Sequence, residues 1–201
     1  LVEVIPGLIA TQHSGGGKAN QYFLRGMNLD HGTDFSVHYE GMPVNFRTHA
    51  HGQGYLDLNF IIPELVQTIE YRKGTYTADV GDFSAASSSK FQTYDRLERG
   101  FVQVTWGSEQ YLRLVGANSF DTSSGTWLLA GEVRRSDGPW ENPEDVQLLN
   151  LFTKFTTEIA GHSAEFIGTW YSNQWNATDQ IPERAIVAGD LTRFGYVDPS
   201  V

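Results

Sequence analysis

Four stretches in the second half of the chain alternate apolar and polar side chains with a period of two. In Phe101–Trp106, Val102, Val104 and Trp106 oppose Gln103 and Thr105. In Trp127–Arg134, Trp127, Leu129, Gly131 and Val133 oppose Ala130, Glu132 and Arg134. Leu149–Ile159 sets Leu149, Leu151, Phe155 and Ile159 against Asn150, Lys154, Thr156 and Glu158. Ala164–Tyr171 sets Phe166, Gly168 and Trp170 against Glu165 and Thr169. Only an extended strand places every second residue on one face. These runs approach about ten residues, the length that crosses a bilayer at a tilt, whereas soluble strands centre on about 5–6. Their connections differ in length: Gly107–Ser108, Thr122–Gly125 and Ala160–His162 read as tight turns, Ser136–Glu144 and the tail after Asn173 as long polar loops. Short turns at one end and long loops at the other suit a transmembrane barrel. Trp106, Trp127, Trp140, Trp170 and Trp175 fall near strand ends, where an interfacial girdle would lie. A soluble antiparallel sandwich also alternates and stays open at this point.

The first half obeys a different grammar. Glycine-rich turn clusters separate short extended runs, Gln21–Arg25, Phe35–Glu40 and Ser87–Tyr94, and Ser84–Lys90 reads as a small polar turn. Pro63–Tyr71 predicts a short helix leading into a strand, opened by Pro63, with Leu65, Val66 and Ile69 on its apolar face. The change of pattern near 95–100 divides the chain into a mixed α/β domain, 1–95, and about five strands in 96–201. The formal charge of −10 argues against nucleic acid as a partner. With no cysteine, disulfides and thiolate chemistry are excluded. No apolar run is long enough for a transmembrane helix, which says nothing about barrel strands. The N-terminal LVEVIPGLIA does not read as a signal peptide. Gly15-Gly16-Gly17-Lys18 lacks the spacing of a phosphate loop and reads as a flexible turn; no GxSxG elbow occurs.

Two segments carry a resemblance. Gln21–Asn45 holds Leu24-Arg25-Gly26, then Val37 to Gly41, then Pro43. Ile62–Ser88 holds Ile69-Glu70-Tyr71-Arg72-Lys73-Gly74, then Gly81. In order and content they resemble the plug signatures of TonB-dependent outer-membrane receptors, with Glu40 where an Asp is usual and Thr75 where a Pro is usual. The resemblance implies a mainly β fold: an α/β plug domain lacking its N-terminal part, then the first strands of a large, 22-stranded antiparallel transmembrane β-barrel that this chain leaves incomplete. It implies a non-enzymatic receptor and transporter in the outer membrane of a Gram-negative bacterium. Such a receptor takes a small-molecule or metal-chelate substrate, TonB or an equivalent energy-coupling protein, and outer-membrane lipid as partners, and needs no cofactor. The coupling motif, signal peptide and remaining strands are expected outside this sequence. The competing reading is a soluble extracellular β-sandwich module with a His-rich, metal-dependent ligand site. Within a plug, Arg25 and Glu70 would be desolvated and should be paired.

Five of the six histidines precede residue 52: His13, His31, His38, His49 and His51, with Asp30, Asp34 and Asp57 among them. His49-Ala50-His51 places both rings on one side of an extended segment, a spacing that can ligate a metal. Hydrogen-bonding histidines in a solvated loop and a metal-dependent hydrolase are the other readings; the last lacks ligands on later strands. In the plug reading, Met27–Asp34 and Asn45–Tyr55 follow strands that run the same way, so both loops emerge outward. They pool Asp30, His31, Asn45, His49, His51, Gln53 and Tyr55 around a ligand, supported by Arg25 from below. If the ligand is a metal, His31, His49 and His51 are its expected donors. On the barrel side, Val102, Val104, Leu129, Val133, Leu151, Phe155, Phe166 and Trp170 are expected to face lipid. Gln103, Glu132, Lys154 and Glu165 are expected to face the lumen, where loss of the Lys154 cation should be tolerated.

Overall fold

A computed structural model describes residues 1–12, 14–178 and 180–198. The chain forms two compact units, Leu1–His13 with Lys18–Tyr94, and Ser14–Gly17 with Asp95–Val201.

In the first unit, β1 (Leu8–Thr11), β2 (Gln21–Leu24) and β3 (Met27–Asn28) make a small antiparallel sheet. A second sheet has the order β5 (Met42–Pro43), β4 (Phe35–Tyr39), β7 (Ser87–Thr93), β6 (Val66–Lys73). The β4 and β7 strands run parallel, and β6 pairs antiparallel with β7. Two tight hairpins repeat the same chemistry. Leu24 pairs with Met27 around Arg25-Gly26, and Tyr39 pairs with Met42 around Glu40-Gly41. Both central residues of each turn have positive φ, at 57° and 77°, then 51° and 78°. That geometry matches the twist of the flanking strands and needs glycine at the second position. The Arg-Gly and Glu-Gly pairs are therefore reversals, and each loop that follows returns to the start of its strand.

The short helix expected after Pro63 is one 3-10 turn, Pro63–Leu65, before β6 begins. The extended run expected from Ser87 is β7, in which Ser87, Ser88 and Ser89 are buried, so the turn read over Ser84–Lys90 stops before them. The core of this unit is built on Tyr22, Leu24, Leu29, Phe35, Val37, Leu56, Ile62, Leu65 and Phe91.

The second unit is a five-stranded antiparallel meander: β8 (Phe101–Trp106), β9 (Leu112–Thr122), β10 (Gly125–Ser136), β11 (Val146–Ile159) and β12 (His162–Gln174). Each strand pairs with its sequence neighbours, so β8 and β12 are open edges among the described residues and the sheet closes no barrel. A short helix, α1 (Glu183–Ala188), follows. The two faces are chemically inverted relative to a soluble sheet. One face exposes its apolar residues: Trp106 is 78% exposed, Val102 76%, Trp170 63% and Leu151 48%. The opposite face buries charge: Glu132 is 5% exposed and Lys154 2%. There Arg113 donates to Glu132 at 2.6 Å, and Asn150 donates to the other Glu132 oxygen at 3.0 Å. Lys154 reaches Asp95 at 2.6 Å and Glu165 at 3.3 Å. Lys154 is therefore a buried ion-pair centre, an arrangement that argues against the expected tolerance of its loss.

Register aligns the exposed face into rows. Phe120, Trp127, Phe155 and Phe166 lie across four adjacent strands, beside the short turns. Trp127 and Phe155 have ring centroids 4.6 Å apart. Eight residues along β9, the row through Leu112 carries Arg135, Gln147 and Gln174. Eight residues of strand span about 27 Å, or about 20 Å of height at a tilt near 40°, close to the ~25 Å apolar band of a membrane barrel. The five tryptophans do not share one girdle. Trp127 belongs to the aromatic row, Trp106 ends β8, and Trp170 sits at the level of Leu151. Trp140 donates to Glu144 in a polar loop.

Ser14–Gly17 is fixed against this second unit. Gly16 N–H donates to the buried Glu144 at 3.1 Å, and the Asn173 amide donates to the Gly17 carbonyl at 2.9 Å. A Cβ at Gly17 would lie 2.2 Å from the Trp175 ring, so close approach, more than turn flexibility, explains the glycine run.

Candidate functional site

The two return loops of the first unit meet. Leu56 N–H donates to the His31 carbonyl at 2.7 Å and joins residues 29–34 to residues 46–56. The second loop is itself closed by the Phe46–Tyr55 bridge, with Phe46 N–H to Tyr55 O at 2.9 Å. Asn45 holds its base. The Asn45 side chain accepts from Val37 N–H and faces the carbonyls of Gly32, Phe35 and Gly54 with its amide, all within 3.1 Å.

Asp30, His31 and His51 form the centre. One carboxylate oxygen or ring nitrogen from each lies within 4.8 Å of the others. His31 Nε2 stands 3.7 Å from Asp30 Oδ1, and His51 Nε2 stands 3.6 Å from Asp30 Oδ2. His31 is 1% exposed, and its Nδ1 lies 2.9 Å from the Ala19 carbonyl oxygen. A carbonyl only accepts, so Nδ1 carries the proton and Nε2 carries the lone pair. Burial pushes the His31 pKa below its ordinary value, opposed by the Asp30 charge. Asp30 sits at φ 47°, its N–H donating to Asn28 Oδ1 at 2.9 Å. Short polar side chains that bond locally tolerate this left-handed geometry.

The structure redistributes the roles expected from sequence. Asp30, His31 and His51 converge. His49 does not join them as a donor. Its Nδ1 accepts His51 N–H at 3.1 Å, and its ring stacks on Tyr55 with centroids 4.0 Å apart. Residues 48–51 are bent, so the alternation that would place both rings on one side is lost. Tyr55 flanks the centre, 5.5 Å from the His31 ring; burial raises its pKa. Gln53 is exposed in the loop turn. Asn45 is buried and fully engaged with backbone, a scaffold for the loops. Arg25 lies exposed at the hairpin tip, at the end of β2 opposite to the one that adjoins Ala19 and His31. Arg25 and Glu70 are both exposed in this partial barrel, and Glu70 faces Lys90 across strands. His13 lies outside the described residues. The loops converge for a reason other than parallel strands: each is returned by its own hairpin. The adjacent Asp30-His31 pair was the sequence signal for the place of Asp30 beside the two histidines.

Residues 1–88 match the family model of the TonB-dependent receptor plug domain. The whole chain is similar in fold to the ferric citrate transporter FecA in its unliganded form, at 18% identity over 99% of this chain and 32% of that one, with a TM-score of 0.74. It is also similar to the copper transporter OprC, at 16% identity over 89% of this chain and 28% of that one, TM-score 0.68. The pyoverdine outer membrane receptor FpvA from Pseudomonas aeruginosa PAO1, bound to pyoverdine, matches at 14% identity over 84% and 24%, TM-score 0.62. The chain thus spans a third or less of each receptor it resembles. Residues 1–88 thus carry the plug domain of TonB-dependent receptors, and the chain as a whole has the fold of a plug followed by part of a barrel.

Proposed function

We propose that this chain is part of a transporter of the Gram-negative outer membrane. It captures a small extracellular ligand at the joined 29–34 and 46–56 loops. It imports that ligand with energy delivered by TonB or an equivalent coupling protein. The observation that carries the membrane assignment is the inverted meander. An aromatic row and an apolar band are exposed on one face, while Glu132, Asn150 and Lys154 are buried on the other. A soluble sandwich would cover its apolar face with a second sheet; among the described residues this face is exposed. Lipid covers it in the proposed setting, with the loop of residues 137–145 on the extracellular side and the two-residue turns on the periplasmic side. The solved relatives named above are transporters and receptors, which supports import over catalysis.

The test is fractionation of cells expressing the full-length protein, followed by uptake. The protein should sediment with outer membranes and require detergent for extraction. Substrate accumulation dependent on it should stop when a protonophore collapses the inner-membrane gradient. Recovery as a detergent-free soluble protein, or uptake indifferent to the protonophore, would overturn the proposal.

A further inference from the structure

We propose that Asp30, His31 and His51 ligate a divalent late transition-metal ion directly, as cargo, and that His49 takes no part in the ligation. The inference rests on the receptor reading above and adds a substrate class to it. Donors at 2.0–2.2 Å around a tetrahedral ion lie about 3.4 Å from one another. His31 Nε2 stands 3.7 Å from Asp30 Oδ1, and His51 Nε2 stands 3.6 Å from Asp30 Oδ2. The three donor atoms all lie within 4.8 Å of one another, so gathering them on one ion asks for side-chain contraction of at most about 1.4 Å in the widest pair.

The surroundings of His31 fit the same role. A ligating imidazole ordinarily donates its other N–H to a carboxylate or carbonyl, which fixes the tautomer and orients the lone pair. His31 does this through Ala19 and directs Nε2 toward Asp30. Two imidazoles and a carboxylate suit zinc, copper, nickel or iron over magnesium and calcium, which favour all-oxygen sets. Asp30 and His51 are partly exposed, while His31 is buried. Three protein donors leave a fourth position for water or a donor carried by the cargo. Such an open, half-exposed set can both receive and surrender an ion. His49, by contrast, has its Nδ1 committed to His51 N–H and its ring laid on Tyr55.

The experiment uses full-length receptor purified from outer membranes in detergent. Zinc chloride and copper sulfate are titrated calorimetrically, with magnesium chloride as the control. His51→Ala and Asp30→Asn should each weaken zinc and copper binding at least about tenfold, while His49→Ala should stay within about twofold. Near-ultraviolet circular dichroism checks that each variant keeps its fold. X-ray absorption at the zinc edge should show two imidazoles in the wild type and one in His51→Ala. The proposal is overturned if neither metal binds the wild type, or if His49→Ala loses as much affinity as His51→Ala. If both metals are ignored but energy-dependent uptake of another substrate persists, metal ligation fails and the transporter reading stands. If metal binds but cells lacking the receptor accumulate it normally, the metal site stands and the transport reading fails.

Discussion

Asn45 shows how one side chain can set the position of a loop it does not belong to chemically. Its oxygen serves Val37 N–H, and its amide serves carbonyls from Gly32, Phe35 and Gly54, so it joins both loops to β4. Removing it orphans buried backbone groups, each of which carries a desolvation penalty. Asn45→Ala should destabilise the plug by about 2–4 kcal/mol and loosen the loops; hydrogen exchange at Val37 and Gly54 amides reports both effects, and unchanged protection there would refute the scaffold role. His38 offers a second residue-scale test. Burial, then the Lys90 charge, holds its pKa below the ordinary histidine value. The folded state therefore binds its proton more weakly than the unfolded state does. Its contribution to stability is complete above the unfolded value, near 6.5, and is lost progressively as pH falls from there toward the folded pKa. His38→Asn should flatten the fall in melting temperature between pH 7.5 and 5.5; an identical slope in the two proteins would exclude this linkage.

At the scale of elements, the two Xaa-Gly hairpins look alike in backbone and differ in what their first residue does. Arg25 is exposed in its turn, whereas the Glu40 carboxylate accepts from Thr93 N–H and Oγ1–H on β7. The longer Glu, in place of the more usual turn Asp, reaches that neighbouring strand. Asparagine tolerates positive φ better than either residue. Arg25→Asn should therefore stabilise its hairpin by a few tenths of a kcal/mol, whereas Glu40→Asn should destabilise by about 1–2 kcal/mol through loss of the Thr93 bonds. Thermal melts of the two variants should move in opposite directions, and a shift of the same sign in both would reject the distinction. These hairpins also explain what sequence reading could reach. Period-two alternation made four meander strands legible because Val104, Leu129, Leu151 and Phe166 alternate with plainly polar neighbours. It left β9 unnamed, because Val115 and Ala117 are buried on the charged face while Asn118 lies on the apolar one. The serines at 87–89 carried two readings, a turn from their small polar side chains and an extended run from Ser87; they lie buried in β7, which favours the second. Both loops of the site were legible from their histidines. Which of their side chains converge was not, because the place of His49 depends on a local bend and a backbone bond that leave no periodic trace.

Across the whole molecule, the meander poses one question: which solvent does each face meet? Leu151 lies between Gly131 and Trp170 on the exposed face, midway between the aromatic row and the row of Arg135, Gln147 and Gln174. If lipid covers that face, this level is near mid-bilayer. There Leu151→Arg should cost about 2–4 kcal/mol in refolding of the full-length receptor into bilayers, while the same change at the boundary level, Gln147→Arg, should cost about 0–1 kcal/mol. The opposite face follows different rules. Lys154→Ala removes the cation between Asp95 and Glu165, and Glu132→Ala leaves the Arg113 cation buried. Asp95 and Glu165 are partly exposed and can be rehydrated, so Lys154→Ala should cost about 1–3 kcal/mol. Arg113 is 13% exposed and has less recourse to water, so Glu132→Ala should cost more, about 3–5 kcal/mol. The depth dependence separates lipid from any protein partner. A protein covering the sheet would penalise arginine wherever packing is tight, with no gradient from Leu151 to Gln147. Equal costs at those two positions in bilayers would mean that the apolar face meets another protein surface, and the transmembrane assignment of these strands would fall with it.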